Sequence, residues 1–103
     1  MAVIAIFTYD VTPGRMDDFL AKLREAAGAK FSSPVMPKSF RLFRNTVPGP
    51  DTGPVIMMIE YDDMAAYGAR TKFENAHPEW KKLFAATPDS PETLVSVQLL
   101  TEM

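Results

Sequence analysis

The chain is expected to fold as an α+β domain whose elements run strand, helix, strand, strand, helix, strand. Three observations carry this expectation. Four apolar stretches of strand length, rich in β-branched and aromatic residues, occupy residues 2–9, 40–47, 55–61 and 93–101. Two stretches between them carry apolar residues at three- and four-residue steps, the period of an amphipathic helix. Pro48, Gly49, Pro50, Gly53 and Pro54 separate the second and third strands and leave room for a turn but not for a helix. At 103 residues, 47% of them apolar, the chain has room for one domain, residues 1–103, with a single core.

Each element has its own justification. Residues 2–9 (AVIAIFTY) suit a strand covered on both faces. Thr12 and Pro13 form a helix-start signature, threonine as cap and proline at the first helical position. Met16, Phe19, Leu20, Leu23, Ala26 and Ala27 then paint one apolar stripe, with Asp17 and Asp18 favourably placed in the first turn and Gly28 as the stop. Residues 29–39, with Pro34 and Pro37, read as a connection. Residues 40–47 (FRLFRNTV) alternate imperfectly, as an edge strand with one wet side does. Asp62 is expected to cap a second helix from Asp63 that carries Met64, Ala65, Tyr67, Ala69 and Phe73 and is weakened by Gly68. His77 and Pro78 open a short helix with Trp80, Leu83 and Phe84 on one side, closed by Pro88 and Pro91. This order is the ferredoxin-like βαββαβ arrangement with a four-stranded sheet. Right-handed crossovers are expected, with the first and third strands parallel at its centre.

Composition narrows function. Without cysteine, disulfide scaffolds, thiolate metal sites and thiol nucleophiles are excluded, and one histidine excludes a multi-histidine metal site within one chain. A formal net charge of -2 with no long run of either sign gives no footprint for nucleic acid or anionic lipid. No apolar run reaches membrane-spanning length and no secretory signal opens the chain, so a cytoplasmic location is expected. No nucleophile elbow, phosphate-binding glycine loop or zinc-protease motif occurs, and no cofactor or metal is implied.

Sorting strand residues by parity gives an expectation about assembly. Val3, Ala5, Phe7 and Tyr9 share one side of the first strand and Ala2, Ile4, Ile6 and Thr8 the other; the third strand is likewise apolar on both sides. The helices suffice for one face. The other, on the order of 400 Å² by standard spacings, is as large as the apolar patches monomers usually leave in water. A homodimer packed sheet to sheet about a two-fold axis is therefore expected. The alternative is a monomer whose residues 29–39 or C-terminus fold over that face.

Two stretches carry a family resemblance. Tyr9-Asp10-Val11-Thr12-Pro13-Gly14-Arg15-Met16-Asp17-Asp18-Phe19-Leu20 resembles the V-x-P-G-x-x-D-x-F opening of dimeric α+β barrel proteins, above all the NIPSNAP-like group. So does Glu60-Tyr61-Asp62-Asp63-Met64-Ala65-Ala66-Tyr67 followed by His77-Pro78-Glu79-Trp80-Lys81-Lys82-Leu83. The resemblance implies a dimeric barrel and a superfamily that includes cofactor-independent antibiotic-biosynthesis-type monooxygenases, haem-degrading enzymes, isomerases and members of no established function. Monooxygenase activity there is associated with asparagine and tryptophan lining a cavity, a set this chain does not match: Trp80 is its only tryptophan and sits in a helix-start motif.

From the residues themselves, His77 is the first general-base candidate, although its place before Pro78 also suits a helix cap. With parallel central strands, Tyr9 and Tyr61 would share one end of the sheet with the helix starts, and the hairpin would bring Arg41 near Glu60. That pair reads either as a cross-strand ion pair or as a partly buried carboxyl facing a pocket. Tyr67 and Trp80 complete the candidate lining. The expected function is that of a NIPSNAP-like protein binding a small, partly apolar or aromatic molecule between sheet and helices. The alternative is a cofactor-independent monooxygenase acting on an electron-rich aromatic, with His77 or Glu60 as catalytic base and tyrosine or Arg41 donating to the developing oxyanion.

Overall fold

In the computed structural model, which describes residues 1–47 and 55–103, the alternation of apolar residues resolves into strands β1 (Val3–Val11), β2 (Ser39–Arg44), β3 (Val55–Tyr61) and β4 (Glu92–Thr101). Helices α1 (Met16–Ala26), α2 (Met64–Ala76) and α3 (Pro78–Leu83) complete the βαββαβ order, and a single 3-10 turn, Ala29–Phe31, follows α1. The turn expected over residues 48–54 lies outside the described residues. The strands form one four-stranded antiparallel sheet in the order β2-β3-β1-β4, the ferredoxin-like topology.

The expectation of parallel β1 and β3 is corrected here. They pair antiparallel, with Val3 opposite Tyr61 and Tyr9 opposite Val55. The reason is topological: crossover through α1 makes β2 run in the direction of β1, and the hairpin then reverses the chain, so β3 must oppose β1. Capping differs as well. Thr12 and Pro13 belong to a turn in which Arg15 N–H donates to Thr12 O at 3.0 Å. Gly14, at φ +82°, takes the left-handed backbone that the turn needs before α1 begins. Asp63, one residue after the expected cap, accepts from Ala66 N–H at 2.8 Å and starts α2.

The helices lie against one face only, and the molecule is a slab of 36 × 33 × 17 Å. Odd-numbered residues of β1 and β3 turn inward. Tyr9, Val55 and Met57 pack with Phe19 and Leu23 of α1, while Val3, Ala5 and Tyr61 pack with Ala66 and Tyr67 of α2. At the rim of the first cluster Lys22 of α1 donates to both carboxylate oxygens of Glu92 at 3.0 and 2.8 Å, tying the helix to the start of β4. On the other face Ile4, Ile6, Ile56 and Met58 are half-buried by their sheet neighbours alone. Neither segment named as a cover crosses it. Residues 31–36 are held by Arg70 on the helix side, and Glu102 N–H continues the β4 ladder to Ala2 O at 2.9 Å.

Candidate functional site

Antiparallel central strands separate the two tyrosines that the sequence placed together. Tyr9 sits at one end of the sheet, its ring 5.0 Å from Phe19. Tyr61 sits at the other, edge-on to Tyr67 at 5.4 Å. Burial pushes the Tyr9 hydroxyl up to about 12, with the Glu92 carboxylate adding to the rise. Burial likewise pushes Tyr61 up to about 12; Glu74 and Tyr67 add to it, and Arg70 opposes. Both therefore stay neutral in the fold after their unfolded counterparts ionise near pH 10, so their stabilisation is complete below pH 10 and drains as pH climbs toward 12. For Tyr9 the two-unit shift corresponds to about 2–3 kcal/mol. Urea midpoints at pH 9 and pH 11.5 are expected to fall further in the parent than in Tyr9→Phe; equal losses would contradict this account.

A second assembly surrounds Arg70, a residue that is 2% exposed. Its Nη1 donates to Phe31 O at 2.7 Å and Ser33 Oγ at 3.2 Å and reaches Met36 Sδ at 3.3 Å, while Nε donates to Glu74 at 2.9 Å. The guanidinium lies 4.8 Å from the Phe73 ring centroid and 5.4 Å from that of Trp80. Burial raises the Glu74 carboxyl, and the hydrogen bond and charge of Arg70 hold it back down. Trp80 also stands edge-on to Phe31 at 5.2 Å. His77 occupies the cap position of α3, as expected, but makes no side-chain capping bond. Its ring instead meets Phe31 at 5.0 Å and Phe73 at 5.6 Å, and its buried Nδ1 has no hydrogen-bond partner.

The uncovered face holds the remaining candidates. Glu60 pairs there with Ile4 and Ser39 across the sheet, and its carboxylate lies 3.6 Å from Lys38 Nζ. Arg41 is opposite Met58, so the expected Arg41–Glu60 pair is corrected to Lys38–Glu60: the hairpin register is displaced by two residues. The Arg41 guanidinium stacks over Phe43 at 4.9 Å instead. Glu60 and His77 thus lie on opposite sides of the sheet, so one substrate molecule cannot meet both within a protomer.

Among the described residues, two grooves open on the helix side of the sheet. One of about 480 Å³ runs between residues 34–36 and the Ala65, Ala66 and Ala69 stripe of α2, with Asp62 at its end. The other, about 190 Å³, opens between α1 and β2 and is lined by Leu20, Leu23, Arg24, Ala27, Phe40 and Leu42. Neither is lined by Tyr9, Arg41, Glu60, Tyr61, Tyr67, His77 or Trp80. Of those seven, Tyr61 and Tyr67 meet at the start of α2, His77 and Trp80 share the Phe31 ring beyond its end, and the others lie apart.

The NIPSNAP family model matches residues 4–98. The chain belongs to the NIPSNAP family. Its fold is similar to that of an uncharacterised NIPSNAP-like domain protein from Burkholderia xenovorans, at 22% identity over 99% of this chain and 85% of that one, with a TM-score of 0.65. A dimeric ferredoxin-like protein from an uncultured marine organism is 17% identical, covers 96% of this chain and 92% of its own, and gives 0.67. A Chloroflexus aurantiacus protein that carries the name of the antibiotic biosynthesis monooxygenases is 17% identical over 100% and 94%, with a TM-score of 0.62. No curated protein matches.

Within this NIPSNAP chain, sequence reading missed Arg70 and the α1–β2 groove. An arginine in a polar turn of a weakly amphipathic helix reads as solvent-facing, and only the approach of Phe31, Ser33 and Met36 from a distant connection makes it interior. The groove had a faint signal: Phe40 and Leu42 are apolar residues on an edge strand, and they remain 47% and 36% exposed. Chemically, the Arg70 assembly is a structural clamp held through Nε and Nη1, whereas the groove offers apolar walls with a cation at the rim.

Proposed function

We propose that this NIPSNAP protein works as a homodimer closed through its uncovered sheet face into an α+β barrel, and that each protomer takes a small, partly apolar molecule between sheet and helices. The carrying observation is the bare apolar face itself, Ile4, Ile6, Ile56 and Met58 with Phe43 and Leu100, which no segment among the described residues crosses. A second copy buries the same patch on both partners and brings Glu60 and Arg41, of opposite sign, within a shared interface. The dimeric ferredoxin-like relative supports this reading. The α1–β2 groove supports the ligand: it lies on the far side of the sheet and stays open when the faces meet. Size-exclusion chromatography with light scattering at micromolar concentration is expected to give twice the 11.5 kDa mass of the chain; a stable single-chain particle rejects the dimer.

One observation favours a second reading, proton transfer in a cofactor-independent monooxygenase: the buried Nδ1 of His77 is a basic atom left without a partner among aromatic rings. Oxygen consumption with hydroquinone or anthrone substrates tests it. Turnover that falls in His77→Ala supports the reading, and turnover unchanged or absent in the parent removes it.

A further inference from the structure

We infer that the α1–β2 groove recognises a short-chain aliphatic carboxylate, with Arg24 as the group that reads its charge. This inference rests on the ligand-binding reading above and adds the chemistry of the ligand. Five of the six lining residues are apolar, and they flank a gap between two elements: Leu20 and Leu23 from one stripe of α1 with Ala27 just past its end, Phe40 and Leu42 from the helix side of β2. The sixth, Arg24, projects from the same stripe, and its guanidinium has no ion-pair or hydrogen-bond partner among the described residues. Arg44 continues the helix-side row of β2 beyond Leu42, is exposed and makes no ion pair among the described residues. The nearest acidic residue on that stripe of α1, Asp17, is seven positions before Arg24, about 10 Å along the helix.

Size and charge together select the ligand. At about 190 Å³ the groove is below the volume of ordinary drug-sized sites. With roughly 30 Å³ for each water-sized group, it holds a chain of about six heavy atoms. An unpaired guanidinium beside apolar walls favours an anion with an aliphatic tail, and a planar carboxylate matches its two-pronged donor geometry. Hexanoate meets both requirements when its six carbons lie in the groove and its two carboxylate oxygens stay at the rim beside Arg24.

The test is an amide-shift titration of the intact protein with hexanoate and, separately, with 1-hexanol, which keeps the tail and removes the charge. Hexanoate is expected to perturb residues 20–27 and 39–44 and to bind at least about tenfold more tightly than hexanol, the contribution of one charge-assisted contact. Arg24→Gln, at an exposed position where the fold tolerates the change, should bring hexanoate down to the affinity of hexanol and leave hexanol unaltered. Leu42→Trp, checked for folding by its thermal melt, should exclude both. If hexanol binds the groove as well as hexanoate does, the charge assignment is overturned and the ligand site stands. If neither perturbs these residues, or the shifts map elsewhere, the groove is not a ligand site and both readings fall; a dimer whose own interface covers Phe40 and Leu42 would produce that result.

Discussion

Arg70→Met is expected to cost about 3–5 kcal/mol of stability, the range for breaking a buried ion pair by deleting one partner. The side chain is 2% exposed and supplies donors to Phe31 O, Ser33 Oγ and Glu74. Methionine restores packing between Phe73 and Trp80 but leaves the Phe31 carbonyl without its donor and the Glu74 carboxylate without its counterion. In a chain of 103 residues this amounts to a drop of roughly 15–30 °C in thermal midpoint. A deficit under 1 kcal/mol would show that the clamp contributes nothing. The pH dependence gives a second check. Burial already raises the Glu74 carboxyl above its ordinary 4.5, so its protonated form suits the fold, and the associated stability is present below pH 4.5 and lost as pH rises. Removing Arg70 removes what opposes that rise. The deficit of Arg70→Met against the parent is accordingly expected to be larger at pH 7 than at pH 4. Arg70→Lys should recover part of the loss, because an ammonium can pair with Glu74 but cannot reproduce the planar fork or its stacking on Phe73 and Trp80.

Ile6→Glu is expected to convert the proposed sheet-face dimer to monomer while leaving the protomer folded. Ile6 lies at the middle of the uncovered face, opposite Met58 on one side and Gln98 on the other. In a separate protomer the new carboxylate projects into water and costs little. In a two-fold dimer it is buried twice and near its own copy, an effect of several kcal/mol per ion. The dissociation constant should therefore rise by at least about a thousandfold, some 4 kcal/mol. Ile6→Val, which keeps the face apolar, should leave the mass at two chains. If Ile6→Glu remains dimeric, the two copies meet elsewhere, and the free edges of β2 and β4 become the surfaces to probe. If it unfolds, Met58→Gln, a neutral change on the same face, provides the milder test: weakened association with an unchanged melt supports the sheet-face dimer.

How much of this was legible in the chain depends on whether the cause is local. Strand and helix order follow from periods of two and three-to-four residues, which act within a few positions, and so does the apolar character of both sheet faces. The caps moved by only a residue or a turn: Asp63 took the role expected of Asp62, and Thr12 and Pro13 were absorbed by a turn around Gly14. The site was far less legible. Placing Tyr9 with Tyr61 rested on the relative direction of β1 and β3, and that direction reverses every end-of-sheet argument at once. Pairing Arg41 with Glu60 rested on counting across a long proline- and glycine-rich connection, where a displacement of two residues keeps every side chain on its face and so leaves no trace in the apolar pattern.

By itself the amino-acid sequence determined the βαββαβ order, the family, and the presence of more apolar sheet surface than its helices cover. Tertiary structure decided which side chains meet. It buried Arg70 against a connection 34–39 residues away in the chain, left Arg24 unpaired beside a gap between α1 and β2, and put Glu60 and His77 on opposite sides of the sheet. Periodicity records which face a residue takes, because burial of apolar surface rewards it at every turn of the backbone. Partnership between distant polar groups depends on register, direction and the path of connections, and a single local pattern encodes none of these.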